Sequence, residues 1–184
     1  MRVVSGDLKG RKLLSVRGVK TRPTSDRIRE AIFNIIAFKA QYNCVLDLFA
    51  GTGAFAIEAL SRGAKFAVLI DISNSAVFTI RENIKSCHLG DRAKVIKWDI
   101  INNLTCLERS NPPFNLVFMD PPYDKNFLKT SFLNLHLSGC MEKGCLIIIE
   151  HSVREPIPTE PPVFQIIDQR KYGKTLVSFL NYVI

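Results

Sequence analysis

The sequence predicts an α/β fold: a mostly parallel central sheet with helices on both faces, a C-terminal β-hairpin at one edge, and an N-terminal basic β-hairpin plus helix. Three observations predict it. From Asn43 onward, short apolar runs recur at about residues 44–49, 66–70, 94–98, 115–119 and 146–150, with helix-compatible stretches between successive members. Strand and helix in alternation imply right-handed parallel crossovers and a sheet covered on both sides. The last segment, "VFQIIDQRKYGKTLVSFLNYVI", breaks that rhythm with two β-rich runs joined through "KYGK", and the opening segment is basic and glycine-bearing.

The elements follow in order. "RVVSGDLKGRKLLSV" holds two short apolar strands around a Gly-rich basic connection, which predicts a hairpin with lysine and arginine at its tip. "TRPTSDRIREAIFNIIAF" then opens with Thr24 or Ser25 as helix cap. Its apolar positions Ile28, Ala31, Ile32, Ile35 and Ile36 keep helical spacing, so one face packs inward. The Pro-rich "REPIPTEPP" is a loop between neighbours, too short to separate domains. We therefore expect one domain over residues 1–184, with the hairpin and helix in 1–40 and the cofactor-binding and catalytic core in 41–184.

Charge is the informative bulk property. Residues 1–29 carry nine basic side chains against two acidic ones, so +7 of the chain's net +8 lies at one end. That asymmetry favours a polyanionic partner such as nucleic acid. No apolar run approaches the ~18 residues of a membrane span, and the first ten residues lack the apolar centre of a secretory signal, so the expected setting is the cytoplasm, without a membrane partner. The five cysteines form no C-x-x-C, and the three histidines are scattered. We expect core-packed thiols and no metal site.

The first strand of the series runs into "DLFAGTGAFAIEAL". Gly51 and Gly53 stand between a strand and a helix start, where missing side chains let a ligand approach the backbone. Gly51-x-Gly53-x-x-Ala56 also satisfies a dinucleotide pattern, with Asp71 near the expected offset. Asp47 argues against a pyrophosphate, because it places an anion where phosphates would lie and suits a ligand amino group instead. Asp71, ending the second strand, is positioned for ribose hydroxyls, and Asp99, ending the third, for an adenine amino group. Ribose, adenine and a cationic amino-acid tail together describe S-adenosylmethionine.

The fourth strand ends in "MDPPY". Two prolines cannot donate to a sheet ladder, so pairing stops there, and ligands bind beyond the carboxyl ends of parallel strands. An exocyclic amine on a base is a poor nucleophile, because its lone pair is delocalised into the ring. The Asp120 carboxylate and the Pro121 carbonyl can accept both of its N–H bonds and orient the lone pair. Pro121 and Pro122 restrict φ and hold that carbonyl's direction. Tyr123 can stack on the base plane, for which ~1–3 kcal/mol is typical.

With those residues in view, the chain resembles the bacterial RsmD family through "RVVSGDLKGRKL", "TRPTSDRIREAIFNI", "LDLFAGTGAFAIEALSRGA", "FMDPPY" and "KYGKTLVSF", over nearly its whole length. The resemblance implies a Rossmann-like class I methyltransferase that uses S-adenosylmethionine to modify a guanine N2 in small-subunit ribosomal RNA, of the guanine(966) type. It implies cofactor contacts at Gly51, Gly53, Asp71 and Asp99, a catalytic turn at Asp120 to Tyr123, and RNA near the N-terminal hairpin and "TRPT". Arg2, Lys9, Arg11, Lys12 and Arg22 would hold phosphates, with Thr24 beside the target. Naked RNA or the assembling small ribosomal subunit is the expected partner, with no obligatory protein partner. Two positions depart from the family pattern: Ala56 and Ser73 stand where glycine and an acid are common. Other readings remain open at this stage: methylation of adenine or cytosine amines in DNA or other RNA, an RNA-binding assembly factor without catalysis, and a nicotinamide oxidoreductase.

Overall fold

A computed structural model describes residues 1–16, 26–36, 43–107, 112–123 and 125–184. Seven strands form one sheet: β1 Cys44–Leu48, β2 Phe66–Asp71, β3 Ala93–Lys97, β4 Phe114–Met119, β5 Met141–Ser152, β6 Phe164–Tyr172 and β7 Thr175–Tyr182. Their order is β3-β2-β1-β4-β5-β7-β6. β1 to β5 pair in parallel, whereas β7 pairs antiparallel to both β5 and β6. The expected edge hairpin is therefore present. A two-residue loop, Gly173 and Lys174, closes it, with Gly173 at φ 66, the positive φ that hairpin turns of this length require.

Each central strand buries both faces, which is why the runs read as continuous rather than alternating hydrophobics. Val45, Leu69 and Phe118 pack on one side with α1 (Asp26–Ile36), α2 (Ala54–Ser61) and α3 (Asn74–Ser86). Leu46, Ile70 and Met119 pack on the other with α4 (Phe127–Leu137). Burial of this kind is worth roughly 25 cal/mol per Å² of apolar surface. All five thiols are free and four are buried. Burial pushes the Cys140 thiol up to about 11, so these side chains pack as small hydrophobes.

Three expectations need correction. Between β3 and β4 the described residues hold only a short 3₁₀ turn, Thr105–Leu107, in place of a helix. Helix α1 buries Arg29 and Phe33 beside Ile32 and Ile36, while Ile28, Ala31 and Ile35 are only partly covered. Arg29 is drawn inward by Glu58 of α2, 3.7 Å away and equally buried, and by Asp26 at 2.9 Å. The cap expected at Thr24 or Ser25 lies outside the described residues.

The third correction concerns the N-terminal hairpin, which has a single antiparallel bridge, Arg2 with Lys12, and no regular strands. The arms do bond across the hairpin, from the Val3, Gly10 and Leu13 N–H groups to the carbonyls of Arg11, Val3 and Met1, but other backbone groups near the tip turn to α2. Glu58 accepts from the N–H groups of Val4 and Ser5 at 2.7 and 2.9 Å. The Ser61 hydroxyl accepts from Leu8 at 2.9 Å and donates to the Ser5 carbonyl at 2.6 Å, and the Ser61 carbonyl accepts from Asp7. Gly6, at φ 80, sits so close that an added Cβ would lie 1.9 Å from the Ser61 carbonyl oxygen. The tip is thus clasped onto α2.

Candidate active site

Sheet register assembles the site. Leu48 of β1 pairs with Ile70 of β2 and Met119 of β4, so Asp71 and Asp120 each stand one residue beyond that level, on either side of the β1 exit. The Asp120 N–H donates to the Leu48 carbonyl at 3.4 Å. Neighbouring strands lie about 4.8 Å apart, and alternation sends Asp47, Asp71 and Asp120 to the same face.

Asp47 is buried, and its carboxylate accepts from the Ala56 N–H at 3.2 Å in the first turn of α2. Burial foremost, and the charges of Asp120 and Asp71 after it, push its carboxyl well above the usual range, against the lowering effect of the Ala56 hydrogen bond. Three of the expected acids therefore share one electrostatic neighbourhood, and a cation would relieve it.

Asp71 braces the glycine loop. One oxygen accepts from the Gly51 N–H and the other from the Ser73 N–H, both at 2.9 Å. Each carboxylate oxygen can accept again, so a ribose would share Asp71 with the loop rather than hold it alone. The two glycines differ. A Cβ at Gly51 would meet nothing closer than 3.9 Å, so its backbone is open to a ligand. One at Gly53 would lie 2.9 Å from Leu69, so that glycine serves packing and its positive φ of 75°. Ser73, in place of an acid, caps α3 by accepting from Ala76.

Asp99 stands further out, accepting from the Ile101 N–H at 3.0 Å. It lines an open cleft with Ile72, Lys97, Trp98, Asn102 and Asn103. Ile72 is 56% exposed, an apolar side chain between Asp71 and Asp99 that the core does not need. It was missed in the sequence, although an isoleucine straight after a strand-end acid is the signal that could have marked it.

At the corner, Pro121 is buried while Pro122 and Tyr123 are exposed. The Tyr123 hydroxyl donates to Glu150 of β5 at 2.9 Å and lies 3.1 Å from the Thr175 hydroxyl of β7. Burial chiefly, with Glu150 and Asp120 nearby, raises the phenol well above its ordinary value, so it stays protonated. Glu150 and Thr175 were also missed. Glu150 stands one residue beyond the pair of Met119 and Ile149, level with Asp120, while β5 continues to Ser152. The clue in the sequence is an acid closing the apolar run 146–150.

Of the expected RNA contacts, Arg2, Lys9, Arg11 and Lys12 are exposed. The Arg11 guanidinium donates to the Ser86 carbonyl at the end of α3, so part of its capacity serves the fold. Arg22 and Thr24 lie outside the described residues. Asn83 of α3 joins this arm to the glycine loop. Its side chain accepts from the Leu14 N–H at 2.7 Å and donates to the carbonyls of Leu14 and Thr52 at 3.1 and 2.9 Å.

Residues 1–181 match the family model described as "Conserved hypothetical protein 95". The chain belongs to this family, the RsmD family. It is 32% identical to the Escherichia coli K12 ribosomal RNA small subunit methyltransferase D, over 95% of this chain and 86% of that one. It is 35% identical over 97% of both chains to YlbH of Bacillus subtilis, whose name assigns it provisionally to the rRNA methyltransferases. The solved Escherichia coli yhhF structure, described as a proposed methyltransferase, superimposes with a TM-score of 0.84 at 30% identity, covering 100% of this chain and 98% of that one. The strand order and antiparallel β7 are those of a Rossmann-like class I methyltransferase, as expected for an RsmD family member.

Proposed function

We propose that this chain transfers the methyl group of S-adenosylmethionine to the exocyclic N2 of a guanine in small-subunit ribosomal RNA, of the guanine(966) type, in the cytoplasm. The carrying observation is that Asp71 and Asp120 stand on either side of the β1 exit, where the Gly51 backbone is open, with Tyr123 tethered on the far side of Asp120 to Glu150 and Thr175.

The residues present fit that cofactor. The Gly51 loop leaves room for a close approach, Asp47 sits in a carboxyl cluster that a cation would relieve, and Ile72 offers an apolar face between two acids. A pyrophosphate would meet three carboxylates instead, which disfavours a nicotinamide dinucleotide. Gly51, Asp71, Asp99 and Ile72 would hold the nucleoside part, and Asp47 would act on the amino-acid part through charge. When bound, S-adenosylmethionine supplies a methyl group on an electrophilic sulfonium.

The chain's own residues do the rest. The Asp120 carboxylate and the Pro121 carbonyl accept the two N–H bonds of the target amine and turn its lone pair toward the cofactor side. Pro121 and Pro122 stiffen that corner. Tyr123, tethered through its hydroxyl, presents its ring to the base. As a protonated phenol it takes no proton from the amine. Guanine N2 faces the minor groove, so the base must leave its stack or be offered from a loop. The exposed Arg2, Lys9 and Lys12, with Arg11, would hold phosphates, and Arg22 and Thr24 would complete that surface.

Incubation with methyl-labelled cofactor tests the proposal, using unmethylated small-subunit particles, naked RNA and DNA as substrates. Label in N2-methylguanosine from the ribosomal substrates is the expected result. Label only in adenine or cytosine, or none, would contradict it.

A further inference from the structure

The cations at the tip of the N-terminal arm sit against the C-terminal ends of α2 and α3, where the Leu8 N–H donates to Ser61 and Arg11 donates to the Ser86 carbonyl. Chain contacts bring a second set of cations to the corner itself. Tyr123 reaches Thr175, the first residue of β7, and Lys174 precedes it in the hairpin loop. The Lys174 carbonyl accepts from the Val153 N–H, which places Arg154 beside that loop. Lys125 follows the catalytic corner by two residues. Lys125, Arg154 and Lys174 are exposed, and none lies within ion-pair distance of a carboxylate among the described residues. Arg170, further along β6, is instead paired with Asp168 at 3.0 Å. The nearby acids Glu150 and Glu155 are buried.

Three separate loops, after β4, after β5 and between β6 and β7, thus put cations that form no ion pair among the described residues around the tyrosine that stacks on the target. A nucleotide drawn into the corner brings its flanking phosphates with it, so cations here meet anions wherever the base enters. We propose that Lys125, Arg154 and Lys174 form a second phosphate-binding surface, which grips the RNA strand beside Tyr123. This inference rests on the reading of RNA as substrate. It also gives the "KYGKT" hairpin a role: Lys174 holds the strand while Thr175, its neighbour, steadies the ring that receives the base.

The test is a salt series of binding titrations with a fluorescent, unmethylated ribosomal RNA fragment. Wild type is compared with K125Q/R154Q/K174Q, the charge-reversed R154E/K174E, and K9Q/K12Q from the N-terminal arm. Circular dichroism and S-adenosylmethionine affinity should match wild type in all, since none of these side chains supports the core. The expected result is an RNA affinity lower by about tenfold or more in K125Q/R154Q/K174Q. Its slope of log affinity against log salt should be shallower by about 0.7–0.9 per phosphate contact removed, and further weakening is expected in R154E/K174E. If both variants bind with wild-type affinity and slope while K9Q/K12Q is impaired, the second surface is refuted and the RNA reading stands. If wild type itself shows no salt-dependent RNA binding, the RNA reading fails and this inference falls with it.

Discussion

The Tyr123 hydroxyl donates to the Glu150 carboxylate across 2.9 Å, which ties the 120–123 corner after β4 to β5. An aromatic platform stacks well only when its plane is fixed, and this bond, with Thr175 behind it, supplies the fixing. Removing the hydroxyl and removing the ring should therefore have different consequences. Tyr123→Phe keeps the stack and should lower kcat by about tenfold with little change in RNA affinity, since a 1.4 kcal/mol loss of positioning is tenfold in rate. Tyr123→Ala should also weaken RNA binding by about 1–3 kcal/mol. Single-turnover kinetics beside RNA titrations separate the two.

The clasp between the N-terminal loop and α2 depends on Gly6. Gly6→Ala forces a Cβ onto the Ser61 carbonyl at a left-handed φ, so it should destabilise by about 2–4 kcal/mol through backbone strain and loss of the hydrogen bonds to Glu58 and Ser61. Gly10→Ala has a similar φ of 84° but open space, and should cost only about 1 kcal/mol. Urea unfolding of the two variants measures the difference.

His151 is buried. It is set to donate from Nδ1 to the Glu155 carbonyl at 2.8 Å and to accept at Nε2 from Ser178, 2.8 Å away. Burial lowers its affinity for a proton below the ordinary value. The unfolded chain then binds more protons than the folded one, so stability rises with pH across this range. Its contribution should be complete above about 6.5 and lost progressively as pH falls through that value toward the depressed folded one. Thermal unfolding from pH 5 to pH 8 should show this slope in wild type, and His151→Gln should flatten it.

Asp47 has the opposite sign. Its raised folded value means that the folded state holds the proton longer, so its charge opposes folding as pH rises above the ordinary carboxyl value. A bound cation favours the ionised form. Cofactor binding should therefore release protons and tighten with pH, and both effects should vanish in Asp47→Asn. Calorimetry in buffers of different ionisation enthalpy counts the protons.

Much of the architecture was legible because the central strands are buried on both faces, and continuous runs such as Val117 to Met119 announce that directly. The positions of Asp71, Asp99 and Asp120 were legible for a related reason, since each stands where an apolar run stops, but the loop N–H groups that Asp71 and Asp99 accept from were not. What stayed hidden depends on partners distant in the chain. Glu58 binds backbone 54 residues away, a contact that no local pattern in α2 marks, and it draws the loop of the expected hairpin onto that helix. Arg29 took an inward position on α1 because Glu58 meets it there, which no periodicity of α1 alone can show. Glu150 closes the apolar run 146–150, but its partner Tyr123 lies across a parallel crossover, so the pairing could not be read.

The most direct measurement concerns Asp120. If the corner after β4 holds the target amine, Asp120→Ala should bind S-adenosylmethionine and RNA as wild type does, yet form N2-methylguanosine with kcat lower by roughly 10²–10³-fold, the range for loss of a positioned charged group. Turnover of that variant within a few-fold of wild type would contradict the account.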